Sequence, residues 1–134
     1  MTFYLAGPLF TEQECDYNIK FKYAVEHSEK DVEVRLPQDN PANDSGDAQL
    51  IHAQDIALLE SCDALIALCN GPDVDSGTAF EIGYACAKNK PVIIYRRDKR
   101  PYLNCMIGGM PVIVDSIEGI ANEIEKLVRC RSAS

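Results

Sequence analysis

A chain of 134 residues, 46% apolar and 25% charged, has the size and composition of a single globular domain, and one domain over residues 1–134 is expected. Thirteen Lys and Arg against 21 Asp and Glu leave a net charge of −8, which repels phosphate backbones and argues against a nucleic acid polymer as partner, though not against an uncharged small molecule. No apolar stretch approaches the roughly 20 residues of a membrane helix. The first residues lack a secretory leader, and six cysteines without a C-x-x-C pair read as reduced core thiols, so a cytoplasmic protein is expected.

Strand and helix signals alternate along the chain. Thr2–Ala6 is a short apolar run stopped by Gly7-Pro8, a first strand. Residues 10–27 carry helical spacing through Tyr17, Phe21, Ala24 and Val25, and 32–36 form a second strand ended by Pro37. Residues 37–46 are a polar loop dense in turn formers, of a length that is often functional. A helix is expected over 47–60, a buried parallel strand over 63–69, a turn over 70–75 and a helix over 76–88. Strands at 91–95 and 111–114 and an amphipathic helix over 117–129 follow, with 131–134 expected to fray. This alternation predicts a parallel sheet covered by helices on both faces, with a pocket beyond the carboxyl ends of the strands. Residues 4–7, the loop after Leu36, and segments 70–75 and 96–104 would surround it.

Two acids stand out. Asp55 shares a helix face with Ile51, Leu58 and Leu59, so it is either an acid at the stripe's edge meeting solvent or a neighbouring amide, or one facing the pocket and exchanging a proton with a ligand. Glu81 completes Thr78-x-x-Glu81, a capping-box pattern and so a structural alternative. The small residues Gly77, Gly83 and Ala85 around it leave room for a ligand, and an electropositive helix start would favour an ionised, nucleophilic carboxylate. His27 and His52 read as surface or satisfied residues. Arg96-Arg97-Asp98-Lys99-Arg100 reads as a solvated loop or as a contact for an anionic group. No Ser-His-Asp arrangement, G-x-G-x-x-G or Walker pattern is present.

The order and spacing of Tyr4-Leu5-Ala6-Gly7-Pro8-Leu9-Phe10, Pro37-Gln38-Asp39-Asn40, Asp55 twenty residues before Asp75, Glu81 six after it, and Leu103-Asn104-Cys105-Met106 resemble the nucleoside 2-deoxyribosyltransferase family over roughly residues 3–107. The resemblance implies a flavodoxin-like three-layer α/β sandwich on a five-stranded parallel sheet, and an enzyme that exchanges the base of 2′-deoxynucleosides. In it, Glu81 matches the nucleophile that attacks C1′, Asp55 the acid/base serving the departing and incoming bases, and Tyr4 the phenol that orients the nucleophile. Asp75 and Asn104 match groups that bind the sugar hydroxyls, the asparagine coming from a neighbouring subunit, so a homo-oligomer is implied. Gln38, Asp39 and Asn40 match a loop near the base, and Gly7 and Gly77 border the sugar. Free nucleobases and deoxynucleosides are the implied partners, and no metal or organic cofactor is required.

A related branch, the 2′-deoxynucleoside 5′-monophosphate N-hydrolases, shares the same two acids, and Ile51-His52-Ala53-Gln54-Asp55 and Asn89-Lys90 look like that branch. Those hydrolases place small hydroxyl residues where this chain has Asp75 and Asn104. An ionised Asp75 would repel a 5′-phosphate, which favours transfer. A non-catalytic nucleotide-binding module on the same fold is the alternative of a different class.

Overall fold

The computed structural model describes residues 1–98 and 103–133. In chain order they form β1 (Thr2–Ala6), α1 (Glu12–Ser28), β2 (Glu33–Arg35), two 3₁₀ turns (Pro37–Asp39 and Pro41–Asp44), α2 (Ala48–Ser61), β3 (Ala64–Leu68), α3 (Ser76–Ala87), β4 (Val92–Tyr95), α4 (Cys105–Gly108), β5 (Ile113–Val114) and α5 (Ile117–Ala133). All neighbouring strands pair in parallel, in the order β2-β1-β3-β4-β5. The expected five-stranded parallel sheet is therefore present, with helices on both sides.

Side chains alternate across each strand and so supply two cores. Phe3 and Leu5 of β1, Ala64, Ile66 and Leu68 of β3, and Ile93 and Tyr95 of β4 pack with Phe21 and Val25 of α1 and Ile120 and Ile124 of α5. Tyr4 and Ala6, Leu65 and Ala67, and Val92 and Ile94 pack on the other face with Leu59 of α2, Ile82 and Ala85 of α3, and Ile107 of α4. β3 is buried at every position, which is why it reads as an unbroken apolar run rather than an alternating one. Strand order reverses between β1 and β3, so the loops after these two strands splay apart and open a crevice at their carboxyl ends.

Three local expectations are corrected. The start of α3 is capped by Asp75, whose carboxylate accepts from the Thr78 amide; Thr78 is fully buried inside the first turn, so Thr78 and Glu81 form no capping box. Thr11 and Glu14 form that box instead, at the start of α1. The last helix does not fray at residue 131 but continues to Ala133, and Arg131 lies 3.4 Å from Asp63 across the amino-terminal edge of the sheet. Arg96 is neither solvated nor set against the pocket: it is buried at the end of β4, and its Nη1 donates to the carbonyls of Cys69 at 2.6 Å and Gly71 at 3.3 Å. Lys99 and Arg100 of the same basic run lie outside the described residues.

Candidate active site

The crevice beyond β1 on the α2/α3 side holds a cavity of about 290 Å³. Tyr4, Asp55, Asp75, Gly77 and Glu81 line it, with Gly7 at the end of the first strand. Three segments far apart in sequence thus converge: β1 with Tyr4, α2 with Asp55, and the start of α3 with Asp75, Gly77 and Glu81. Gly7 lies close to β3: a Cβ there would come within 3.1 Å of the Leu68 side chain, which would have to yield by a few tenths of an ångström.

Tyr4 belongs to the fully buried core, and its hydroxyl donates to Glu81 Oε2. Glu81 sits in the second turn of α3, beyond the orphan amides of the helix start. The electropositive terminus therefore does not decide its charge, contrary to the sequence-based expectation. Burial pushes the Glu81 carboxyl up to about 7; the Tyr4 hydrogen bond opposes this, and the charges of Asp55 and Asp75 reinforce it. Tyr4 itself is driven well above the usual phenol range, first by its own burial and then by the adjacent Glu81 charge. It is thus a permanent hydrogen-bond donor to the carboxylate and not a proton source.

Asp55 lies where the apolar stripe of α2 passes from core to cavity: Leu59 is buried, while Ile51 and Ile56 line the cavity beside it. Partial burial raises the Asp55 carboxyl above its ordinary value, and a hydrogen bond from Asn40 and the His52 charge pull it down. Asn40 Nδ2 donates to Asp55 Oδ1 at 2.8 Å. Asp55 thus meets a neighbouring amide and at the same time faces the cavity. Asp75 Oδ2 accepts from Thr78 N at 3.2 Å and from Thr78 Oγ1 at 3.4 Å, so one residue caps α3 and borders the cavity.

The loop residues divide. Gln38 does not line the cavity; its Oε1 accepts from Asn18 at 3.0 Å and its Nε2 donates to the Cys15 carbonyl at 3.1 Å, pinning the loop to α1. Asp39 is exposed and does not line it either. Asn40 acts on Asp55. Asn104 caps α4 through Met106 N at 2.9 Å and lines a separate apolar groove with Ile82, Gly83 and Met106, outside the cavity of its own chain. The sequence singled out none of Leu9, Phe10, Phe80 or His52 as cavity lining, while Asn43 belongs to the loop it placed around the pocket. His52, expected on the surface, is exposed but borders the cavity, with its ring centroid 5.8 Å from that of Phe80. Its place one turn before Asp55 was the available signal, because i and i+3 share a helix face. Among the described residues no group of three His, Cys, Asp or Glu side chains is placed to hold a metal ion.

A half-buried carboxyl held by a phenol, in one cavity with a second carboxyl of raised proton affinity, can serve to break a glycosidic bond at a carbon that becomes cationic. The family model for nucleoside 2-deoxyribosyltransferases matches residues 3–128, and the chain belongs to that family, whose members are enzymes acting on N-glycosidic bonds of nucleosides or nucleotides. A conserved protein from Enterococcus faecalis V583 superposes with a TM-score of 0.83 at 30% identity, over 94% of this chain and 98% of that one. A 2-desoxiribosyltransferase from Leishmania mexicana superposes with a TM-score of 0.75 at 28% identity, over 92% and 97%. A 5-hydroxymethyl-dUMP N-hydrolase of Branchiostoma floridae is 38% identical over 66 residues, 48% of this chain; the match spans 61% of that relative's length. Among the described residues no helix is long and apolar enough to cross a membrane.

Proposed function

We propose that the protein is a cytoplasmic nucleoside 2-deoxyribosyltransferase that exchanges the base of 2′-deoxynucleosides through a covalent deoxyribosyl-Glu81 ester. The observation that carries this is the placement of Tyr4, Glu81, Asp55 and Asp75 around one cavity, with three carboxyl groups and, among the described lining residues, no basic side chain apart from His52. In the first half-reaction neutral Asp55 gives its proton to the departing base as the C1′–N bond breaks, and ionised Glu81 bonds to C1′. In the second, an incoming base loses its N–H proton to Asp55 and attacks C1′, and Glu81 leaves as the carboxylate. Two inversions return the original configuration. The aromatic rings of Phe10 and Phe80, 77% and 54% exposed at the cavity, suit a flat base entering from solvent.

The competent state has its charge on Glu81 and its proton on Asp55, so kcat/KM should be bell-shaped in pH, with one limb near 7, where Glu81 titrates, and the other set by Asp55, whose carboxyl burial raises above its ordinary value. The Tyr4 bond lowers the Glu81 value. Tyr4→Phe should therefore shift the limb near 7 to higher pH; an unmoved limb would remove the role given to Tyr4.

A second possibility, hydrolysis of 2′-deoxynucleoside 5′-monophosphates, is favoured by the N-hydrolase relative. Asp75 argues against it, because a carboxylate at the sugar end repels a 5′-phosphate. Asp75→Ser should weaken use of the 5′-hydroxyl nucleoside and admit the 5′-monophosphate, read as the ratio of kcat/KM for the two donors; an unchanged ratio would count for the hydrolase. We further propose that Asn104 completes the site of a neighbouring subunit. Light scattering should then give an oligomer, and a fully active monomer would refute a shared site.

A further inference from the structure

We propose that Asn40 is a positioning residue that fixes which oxygen of Asp55 carries the transferable proton. The claim rests on the acid/base role assigned to Asp55 above, and holds for transfer and hydrolysis alike. It begins from the 2.8 Å bond in which the Asn40 amide donates to Asp55 Oδ1. An oxygen already accepting an N–H is a poor site for a proton, so the acidic hydrogen belongs on Oδ2. When the base departs, the Oδ2–H proton moves to the base nitrogen as the electron pair of the C1′–N bond leaves with it. Asp55 becomes a carboxylate with Oδ1 still held. Asn40 gains and loses nothing, and Oδ2 takes the proton of the incoming base on return.

The loop is built to hold this amide still. Asn40 lies between the two 3₁₀ turns; its backbone N–H donates to the Pro37 carbonyl at 3.0 Å and its carbonyl accepts from Asn43 at 3.1 Å. Pro37 and Pro41 restrict the backbone on either side. Ala42 is buried, and its N–H donates to the side chain of Gln54 at 3.0 Å, which ties the loop to α2 next to Asp55 itself. Among the described residues, the titratable groups that share the cavity with Asp55 are His52 on its own helix, Tyr4 from β1, Asp75 capping α3 and Glu81 within it. Two of these four, Asp75 and Glu81, are carboxyl groups, so a neutral donor on Oδ1 stabilises the carboxylate left as the base departs without adding charge. The Asn40 bond lowers the proton affinity of Asp55 against the effect of its burial, and removing it should raise that affinity.

The test compares wild type, Asp55→Asn, Asn40→Ala and Asn40→Leu on two donors: a 2′-deoxynucleoside, whose base needs a proton to leave, and 4-nitrophenyl 2-deoxyriboside, whose phenolate does not. Asn40→Ala and Asn40→Leu should lose roughly 10-fold or more in kcat on the nucleoside and little on the nitrophenyl donor, following Asp55→Asn in pattern. Equal losses on both donors would indicate a merely structural role and overturn the proposal, as would no loss on either. In parallel, a ¹³C NMR titration of the Asp55 carboxyl should move to higher pH in either Asn40 variant that folds as wild type does; an unchanged midpoint overturns the proposal. Should wild type cleave neither donor, the proposed enzymatic function fails, and the titration still decides whether Asn40 controls Asp55.

Discussion

Glu81→Ala is expected to lose turnover by on the order of 10³-fold or more, with substrate binding and folding largely kept, because it deletes the only carboxylate that Tyr4 holds toward the cavity. The effect should exceed that of any neighbouring substitution, since a missing nucleophile removes the covalent route altogether. Glu81→Gln separates chemistry from stability. A carboxyl pushed up to about 7 in the fold, from an ordinary value of 4.5, binds more protons native than unfolded between those limits. Stability therefore falls as pH rises from about 4.5 to about 7, and by the same linkage Glu81→Gln should be more stable relative to wild type at pH 8 than at pH 4. Denaturant unfolding at the two pH values checks this, and an inactive Glu81→Gln that is destabilised at pH 8 would mean Glu81 serves the fold.

The second large effect is expected for Asp55→Asn, about 10²–10⁴-fold in kcat on a nucleoside donor. An amide cannot supply the proton that the departing base requires, while it keeps the shape of the side chain. The loss should shrink when the leaving group is acidic enough to depart as an anion. Measured across donors of rising leaving-group acidity, the rate of Asp55→Asn should depend more steeply on leaving-group pKa than that of wild type. Parallel slopes would show that Asp55 does not protonate the base.

The long-range frame was legible in the sequence where a physical signal is strong over several residues. β3 announces itself because a strand buried on both faces needs apolar side chains at every position, as Ala64–Leu68 does. The alternation of strands and helices sufficed for a parallel sheet. Short elements were not legible: α4 spans four residues, Cys105–Gly108, too few for any periodicity, and its start depends on the Asn104 side chain. The cap of α3 was misassigned because Ser, Thr and Asp compete for that position over a few residues, and the burial of Thr78 that settles it is a tertiary fact. The extension of α5 to Ala133 goes with Arg131 reaching Asp63, a contact between the last helix and the residue before β3 that local composition cannot show.

Of the residues that line the cavity, Asp55 and Glu81 were singled out as carboxyl groups among apolar or small neighbours, and Tyr4 and Asp75 through the family's spacing alone. Gln38 and Asn40 look alike in sequence, two amides in one polar loop. Only the fold separates them, turning Gln38 back onto α1 and Asn40 onto Asp55. His52, Phe10 and Phe80 gave little sign of their place, since an exposed ring at a cavity mouth carries the same local signature as an exposed ring elsewhere.

The most direct test of covalent base exchange is a chromatographic assay of deoxyinosine and of deoxycytidine 5′-monophosphate, each incubated with the protein with and without excess adenine. Deoxyadenosine formed from deoxyinosine and adenine, with the monophosphate left intact, is the result predicted. Free cytosine released from the monophosphate with no exchange product, or neither donor consumed, would contradict it.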